Sequence, residues 1–195
     1  KMIRKKWLAV VALFGGSLCA QNPVVPPGVF AADPEGHQWK DGRLYLYVLR
    51  DESPDFYCSW RYDLLSTDDL KNWTIHRDAF ASKGPNDEVP YSDGELYASD
   101  AAYKDGKYYL YYSMRDAIDE GVAVADAPAG PFRDGRPIEG ISQIDPAVFI
   151  DDDGQAYLYW GQFSAKGAKL KDNMLEVDTT TLVDGLVTEQ EHFFH

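Results

Sequence analysis

Apolar and aromatic residues fall in short runs rather than at helical spacing, and an Asp-Gly step stands before each of the clearest runs. Leu44-Tyr45-Leu46-Tyr47 follows Asp41-Gly42, Tyr108-Tyr109-Leu110-Tyr111 follows Asp105-Gly106, and Tyr157-Leu158-Tyr159-Trp160 follows Asp153-Gly154. Asp-Gly between such runs predicts a tight hairpin turn. No segment keeps a 3.6-residue period, so the pattern predicts an all-β chain.

The hairpins are copies of one unit. Each is preceded by an aspartate: Asp33, Asp100 and Asp145, with the turn glycine 9, 6 and 9 positions further on. Pro34 and Pro146 follow two of these aspartates, and Ala101 follows the third. A proline restricts the residue before it to extended backbone and removes a ladder donor, so these strands are expected at sheet edges.

The first unit continues with an expected strand at residues 56–62 and closes on residues 65–73. There Asp68 or Asp69 with Asn72 makes a turn, and Leu70 and Trp73 cover a sheet face. Asn72-Trp73-Thr74 also fits a glycosylation acceptor, a weak signal inside a turn. Residues 81–94 read as a surface loop. The second unit covers residues 97–112 and 121–125 and closes on 126–132; the third opens at Ile144 and runs past Leu175-Glu176-Val177-Asp178 to about residue 187. Repeats of this length with several strands each predict propeller blades, the innermost strand of each lining a central channel. Three blades do not close a ring, so the chain reads as an N-terminal portion.

Residues 1–20 stand apart. Lys1, Arg4, Lys5 and Lys6 precede an apolar run from Trp7 to Phe14 and then small residues up to Ala20. This is the layout of a secretory signal peptide, with Met2 as the expected start and cleavage after Ala20; a short membrane anchor is the alternative. Export to the periplasm or outside the cell follows from that reading. Leu18 before Cys19 is too large for a lipoprotein site. Without residues 1–20, 15 of the 19 Lys and Arg remain against all 32 Asp and Glu, a net charge of −17. Such a surface repels phosphate backbones and anionic lipid, which argues against nucleic acid and membrane partners and leaves neutral sugars unpenalised. Cys58 is then the one cysteine left, which rules out a disulfide framework; it reads as a buried thiol.

Taken together, Ala32-Asp33-Pro34, residues 66–73, residues 98–112, residues 127–132, and Asp145-Pro146 through Asp153-Gly154 to Trp160-Gly161 resemble glycoside hydrolase family 43. The resemblance covers residues 30 to about 180. It implies a five-bladed β-propeller, of which about three blades are present, with residues 21–195 forming the N-terminal portion of the catalytic domain. It also implies an inverting glycosidase that removes terminal α-L-arabinofuranosyl or β-D-xylosyl units from a polysaccharide or oligosaccharide. Endo-arabinanase or galactan-cleaving activity on the same fold, and a non-catalytic carbohydrate-binding propeller, are the alternatives.

By this resemblance Asp33 matches the general base and Asp145 the carboxylate that orients the acid and raises its pKa. The acid is a glutamate expected just beyond His195, with Glu189 and Glu191 as weaker substitutes. Inversion requires an acid and a base far enough apart to admit a water. Read alone, an Asp before Pro is as readily a turn residue as a catalytic one. Asp100 departs from the family pattern, because Tyr97-Ala98-Ser99-Asp100 stands where Trp-Ala-Pro-Asp is usual; it is kept as a sugar contact only. Phe30, Tyr97 and Trp160 are candidates for stacking on a sugar ring, while the other tyrosines read as packing between sheets.

No residue set has metal spacing. Asp151-Asp152-Asp153-Gly154 fails as a calcium loop, because Phe149 and Trp160 fall at its first and twelfth positions, and His192 and His195 lack a third ligand. No cofactor is expected from the residues themselves; a structural calcium in the complete propeller is what the resemblance adds.

Overall fold

The computed structural model describes residues 24–115, 119–162 and 164–186. The expected signal peptide, Glu189, Glu191, His192 and His195 lie outside them. Every regular element among the described residues is a strand. β1 (Ala31–Gln38), β2 (Leu44–Arg50), β3 (Arg61–Thr67) and β4 (Thr74–Ala81) form the first sheet. β5 (Leu96–Lys104), β6 (Lys107–Met114), β7 (Asp119–Ala125) and β8 (Arg133–Ser142) form the second. β9 (Ala147–Ile150), β10 (Ala156–Trp160), β11 (Lys166–Leu170) and β12 (Val177–Asp184) form the third. Each is an antiparallel meander in chain order, and the three are blades of a β-propeller.

The Asp-Gly hairpins join β1 to β2, β5 to β6 and β9 to β10, with Gly42, Gly106 and Gly154 in the left-handed region at φ 78, 85 and 85°. The Asp151–Gly154 stretch is a turn, closed by the Gly154 amide donating to the Asp151 carbonyl at 2.8 Å.

Two cores lie between the blades, and strand alternation sorts side chains into them. From β6, Leu110, Tyr112 and Met114 enter the core shared with the first blade, while Tyr109 and Tyr111 enter the one shared with the third. Three buried tyrosine hydroxyls find backbone partners: Tyr47 donates to the Pro128 carbonyl at 2.8 Å, Tyr62 to the Tyr97 carbonyl at 2.6 Å and Tyr111 to the Met174 carbonyl at 2.9 Å. Cys58 is buried and its thiol is pushed up to about 11, first by burial and then by the nearby Glu95 and Asp33 charges.

Four local expectations are corrected. Residues 51–60 form a loop rather than a strand beginning at 56, because Asp51, Glu52, Ser53 and Pro54 turn the chain before β3 starts at Arg61. Residues 65–67 belong to β3, so the closing turn is shorter. It is held by Asp69, whose carboxylate accepts the Lys71 and Asn72 amides at 2.9 and 2.7 Å. Leu70, at its tip with φ 58°, is 54% exposed and covers no sheet. Finally, β4 and β8 extend the first two blades beyond the segments read from sequence. β8 buries Gly135, Ile138 and Ile141, every third residue, because bulges interrupt its pairing with β7; that period hides it from a two-residue pattern.

Candidate active site

The starts of β1, β5 and the segment before β9 meet at one end of the blades. They enclose a cavity of about 580 Å³ lined by Asp33, Tyr57, Tyr97, Ala98, Met114, Arg115, Gln143, Ile144, Asp145 and Gln162. Asp33 and Asp145, 112 positions apart in the chain, therefore share a single chamber.

The backbone that presents them differs from expectation. Asp33 lies at φ 46° and Asp145 at φ 65°, in the left-handed region rather than extended. Aspartate tolerates this region better than most residues, but it costs about 1–3 kcal/mol, a kind of strain found mainly at functional sites. Pro34 supplies the local reason. With no amide hydrogen it leaves the β1–β2 ladder, whose register slips between Ala32 and Glu35, and the resulting bulge turns Asp33 off the sheet. Asp145 is held from behind: the Gly161 amide donates to the Ile144 carbonyl at 2.9 Å. A side chain at Gly161 would strike the Ser164 carbonyl oxygen at 2.4 Å.

Neither the Asp33 nor the Asp145 carboxylate has a hydrogen-bond or ion-pair partner among the described residues. Both pKa values are raised. Burial acts first on each, followed by the charge of Asp51 on Asp33 and of Asp33 on Asp145. Two like charges in one chamber each resist ionisation of the other, which makes the carboxylates better proton acceptors once they are ionised.

Asp100 is used differently. It is 8% exposed, and its oxygens accept from the Ala101 amide at 2.6 Å and the Val148 amide at 2.6 Å, with His37 Nε2 at 3.1 Å. It ties the inner strands of all three blades together and does not line the cavity, so the expected sugar contact is corrected to an inter-blade clamp. Trp160 is likewise corrected: it is 1% exposed and packed in the core between the second and third blades, closed to any sugar. Phe30 is exposed, but on an adjoining hollow of about 680 Å³ formed with the loop at 51–57. Tyr97 does line the cavity, with Tyr57 stacked beside it at 6.5 Å between ring centres.

Tyr57, Arg115, Gln143 and Gln162 were not found by sequence reasoning. They arrive on loops, and only the Phe56-Tyr57 pair, on the loop that replaces the expected strand, carried a signal. Arg115 places its guanidinium over the Phe56 ring at 4.9 Å and pairs with Glu95 at 3.6 Å, bringing one cation to the rim of an acidic chamber.

The sequence profile of glycosyl hydrolases family 43 matches residues 20–192. The chain belongs to glycoside hydrolase family 43. Among family 43 proteins, it is similar to the xylosidase/arabinosidase 43A of Humicola insolens, with 41% identity over 145 residues, 68% of this chain and 44% of that protein. A xylosidase/arabinosidase of Bacteroides ovatus is 35% identical over 147 residues, 69% of this chain and 44% of that protein. The chain thus spans less than half the length of these relatives. Two solved family 43 structures share its fold. One is a β-xylosidase/α-arabinofuranosidase from a compost microbial metagenome, in complex with xylotriose and in calcium-free form: TM-score 0.69 and 32% identity, covering 80% of this chain and 58% of that one. The other is the GH43_1 enzyme of Xanthomonas citri complexed with xylotriose: TM-score 0.72 and 28% identity, covering 83% and 57%.

The calcium implied by the family resemblance was tested against the donors present. Glu35, His37 and Asp100 bring one ligand atom each within 4.8 Å of one another. Calcium takes about six to eight oxygen ligands. This set offers one imidazole nitrogen and two carboxylates, one of them already committed to the clamp. By itself this group supplies fewer oxygen ligands than calcium takes.

Proposed function

We propose that the complete protein is an inverting glycosidase that removes terminal β-D-xylosyl or α-L-arabinofuranosyl units, with Asp33 as general base and Asp145 as the carboxylate that orients the general acid. The observation that carries this reading is the pair of unpartnered carboxylates, drawn from two blades by strained Asp-Pro starts into one cavity. A structural ion pair would have neutralised them; a turn aspartate would have spent its oxygens on nearby amides.

In the proposed reaction Asp33 takes a proton from a water as the water oxygen bonds to the anomeric carbon. The glycosidic carbon–oxygen bond breaks on the opposite side, and the leaving oxygen takes a proton from the acid. That acid is the glutamate expected beyond His195. Asp145, negatively charged near it, holds its pKa up so that it keeps its proton. Tyr57 and Tyr97 offer ring faces to the sugar at the cavity wall. The choice of xylose and arabinose is supported by the names of the sequence relatives and by the xylotriose bound in two related structures. Export is supported by the basic and apolar order of residues 1–20.

The test uses the full-length protein. Release of nitrophenol from the β-D-xyloside and the α-L-arabinofuranoside is measured for wild type and Asp33→Asn. Loss in the variant, with circular dichroism unchanged, supports the base. Equal hydrolysis by both proteins removes Asp33 from that role, and no hydrolysis by wild type removes the proposed substrates.

A further inference from the structure

Glu120 is a charged residue type in a place that gives it nothing to pair with among the described residues. It lies near the start of β7, inside the bulge between Asp119 and Gly121, one residue past the Asp119–Ser142 pair with β8. It is 0% exposed, and both carboxyl oxygens are buried without a hydrogen-bond partner among the described residues. A bulge next to an active site commonly re-aims a side chain. Three residues after Ser142 the chain reaches Asp145.

An ionised carboxylate with no donor in a dry site costs far more than a neutral one, so burial raises the Glu120 pKa well above the ordinary value, and the Asp145 charge raises it further. A neutral carboxyl has one hydroxyl to donate. Among the described residues, the titratable groups linked to it by charge are Asp145 and Tyr62. Tyr62, which also senses Asp33 and Cys58, has its own hydroxyl committed to the Tyr97 carbonyl. Asp145 is the reverse case: a half-buried acceptor on the cavity with no donor among the described residues. An unspent donor thus lies within electrostatic reach of an unserved acceptor.

We propose that Glu120 is a positioning residue for Asp145: its fully buried, unpartnered carboxyl, directly or through one water, is the donor that holds the Asp145 carboxylate in place. It acts through Asp145 and does not touch the sugar. The inference rests on the role assigned to Asp145 above.

The experiment compares full-length wild type, Glu120→Gln and Glu120→Leu. Glutamine keeps a donor in the same shape; leucine removes it. The acid limb of kcat/KM against pH moves up by about one unit in Glu120→Leu, roughly a tenfold loss on that limb, because Asp145 without its donor takes a proton more readily. Glu120→Gln restores the limb. An unmoved limb in Glu120→Leu overturns the proposal. Infrared spectra supply a readout free of activity: at neutral pH the protonated-carboxyl C=O band of wild type, to which the general acid also contributes, is stronger than that of Glu120→Gln. If that band is the same in both proteins, Glu120 is not the neutral acid and the proposal fails, even where Glu120→Leu does not fold. A wild type that hydrolyses neither glycoside defeats the reading of the site while the infrared result still decides the state of Glu120.

Discussion

Asp33 and Asp145 open the first and third blades where Asp100 opens the second, and the three are put to opposite uses. Asp100 accepts the amide of the next residue, Ala101, at 2.6 Å, and then the Val148 amide of the next blade. Asp33 and Asp145 precede Pro34 and Pro146, which have no amide hydrogen to give. Their backbones swing to positive φ, and their oxygens stay free in the cavity. One substitution in a repeated unit, alanine for proline, separates a carboxylate that holds blades together from a carboxylate available for chemistry.

The contrast can be broken most sharply at Asp145. Asp145→Asn in the full-length protein is expected to lower kcat/KM by about 100-fold or more with the fold retained, and a smaller loss would leave the third blade's aspartate with no special role. The aromatic residues repeat the contrast. Trp160→Ala should cost about 3–5 kcal/mol of stability in urea unfolding, because its ring fills the core between blades, yet leave hydrolysis per folded molecule unchanged; a raised KM at full stability would restore it as a sugar platform. Asp100→Ala should cost about 1–3 kcal/mol by stranding the Ala101 and Val148 amides, again without a change in hydrolysis per folded molecule.

The smallest effect is in pH. Asp33, Asp145 and Glu120 have raised pKa values, so the folded state binds their protons more tightly than the unfolded state does. Stability they contribute is fully present below the ordinary values of 3.8 and 4.5 and is lost as pH rises from there through the raised values of the folded state. Asp145→Asn should therefore raise the melting temperature at pH 7, and the gain should vanish near pH 3. Asp63 has the opposite sign. Burial raises its pKa, but hydrogen bonds from Arg50, the Asp78 amide and Arg77 outweigh it and bring the value below 3.8. Its contribution is present at neutral pH and is lost as pH falls below 3.8, so Asp63→Asn should destabilise at pH 7 and less so near pH 3.

Local features of the fold were legible where the cause is local. The Asp-Gly turns need only a glycine at positive φ, and the alternating Tyr-Leu runs need only a pleated strand, so the three inner hairpins could be read directly. β8 could not, because its every-third burial comes from bulges set by its neighbour β7. The site divides in the same way. Asp33 and Asp145 carry a signal in the proline that follows each. Glu120 carries none, since a glutamate before Gly121-Val122-Ala123 reads as solvated until the blades close around it. Trp160 was misread because a tryptophan ending a strand looks the same whether its ring meets a sugar or the next blade; only the packing of the third blade on the second decides.

The measurement that bears most directly on the central contrast sets Asp33→Asn beside Asp100→Asn in the full-length protein, with hydrolysis of both nitrophenyl glycosides normalised to folded molecules. The account predicts a loss of about 100-fold or more for Asp33→Asn and near wild-type turnover, with lowered stability, for Asp100→Asn. Undiminished turnover in Asp33→Asn, or an equal loss in both with the folds intact, would contradict it.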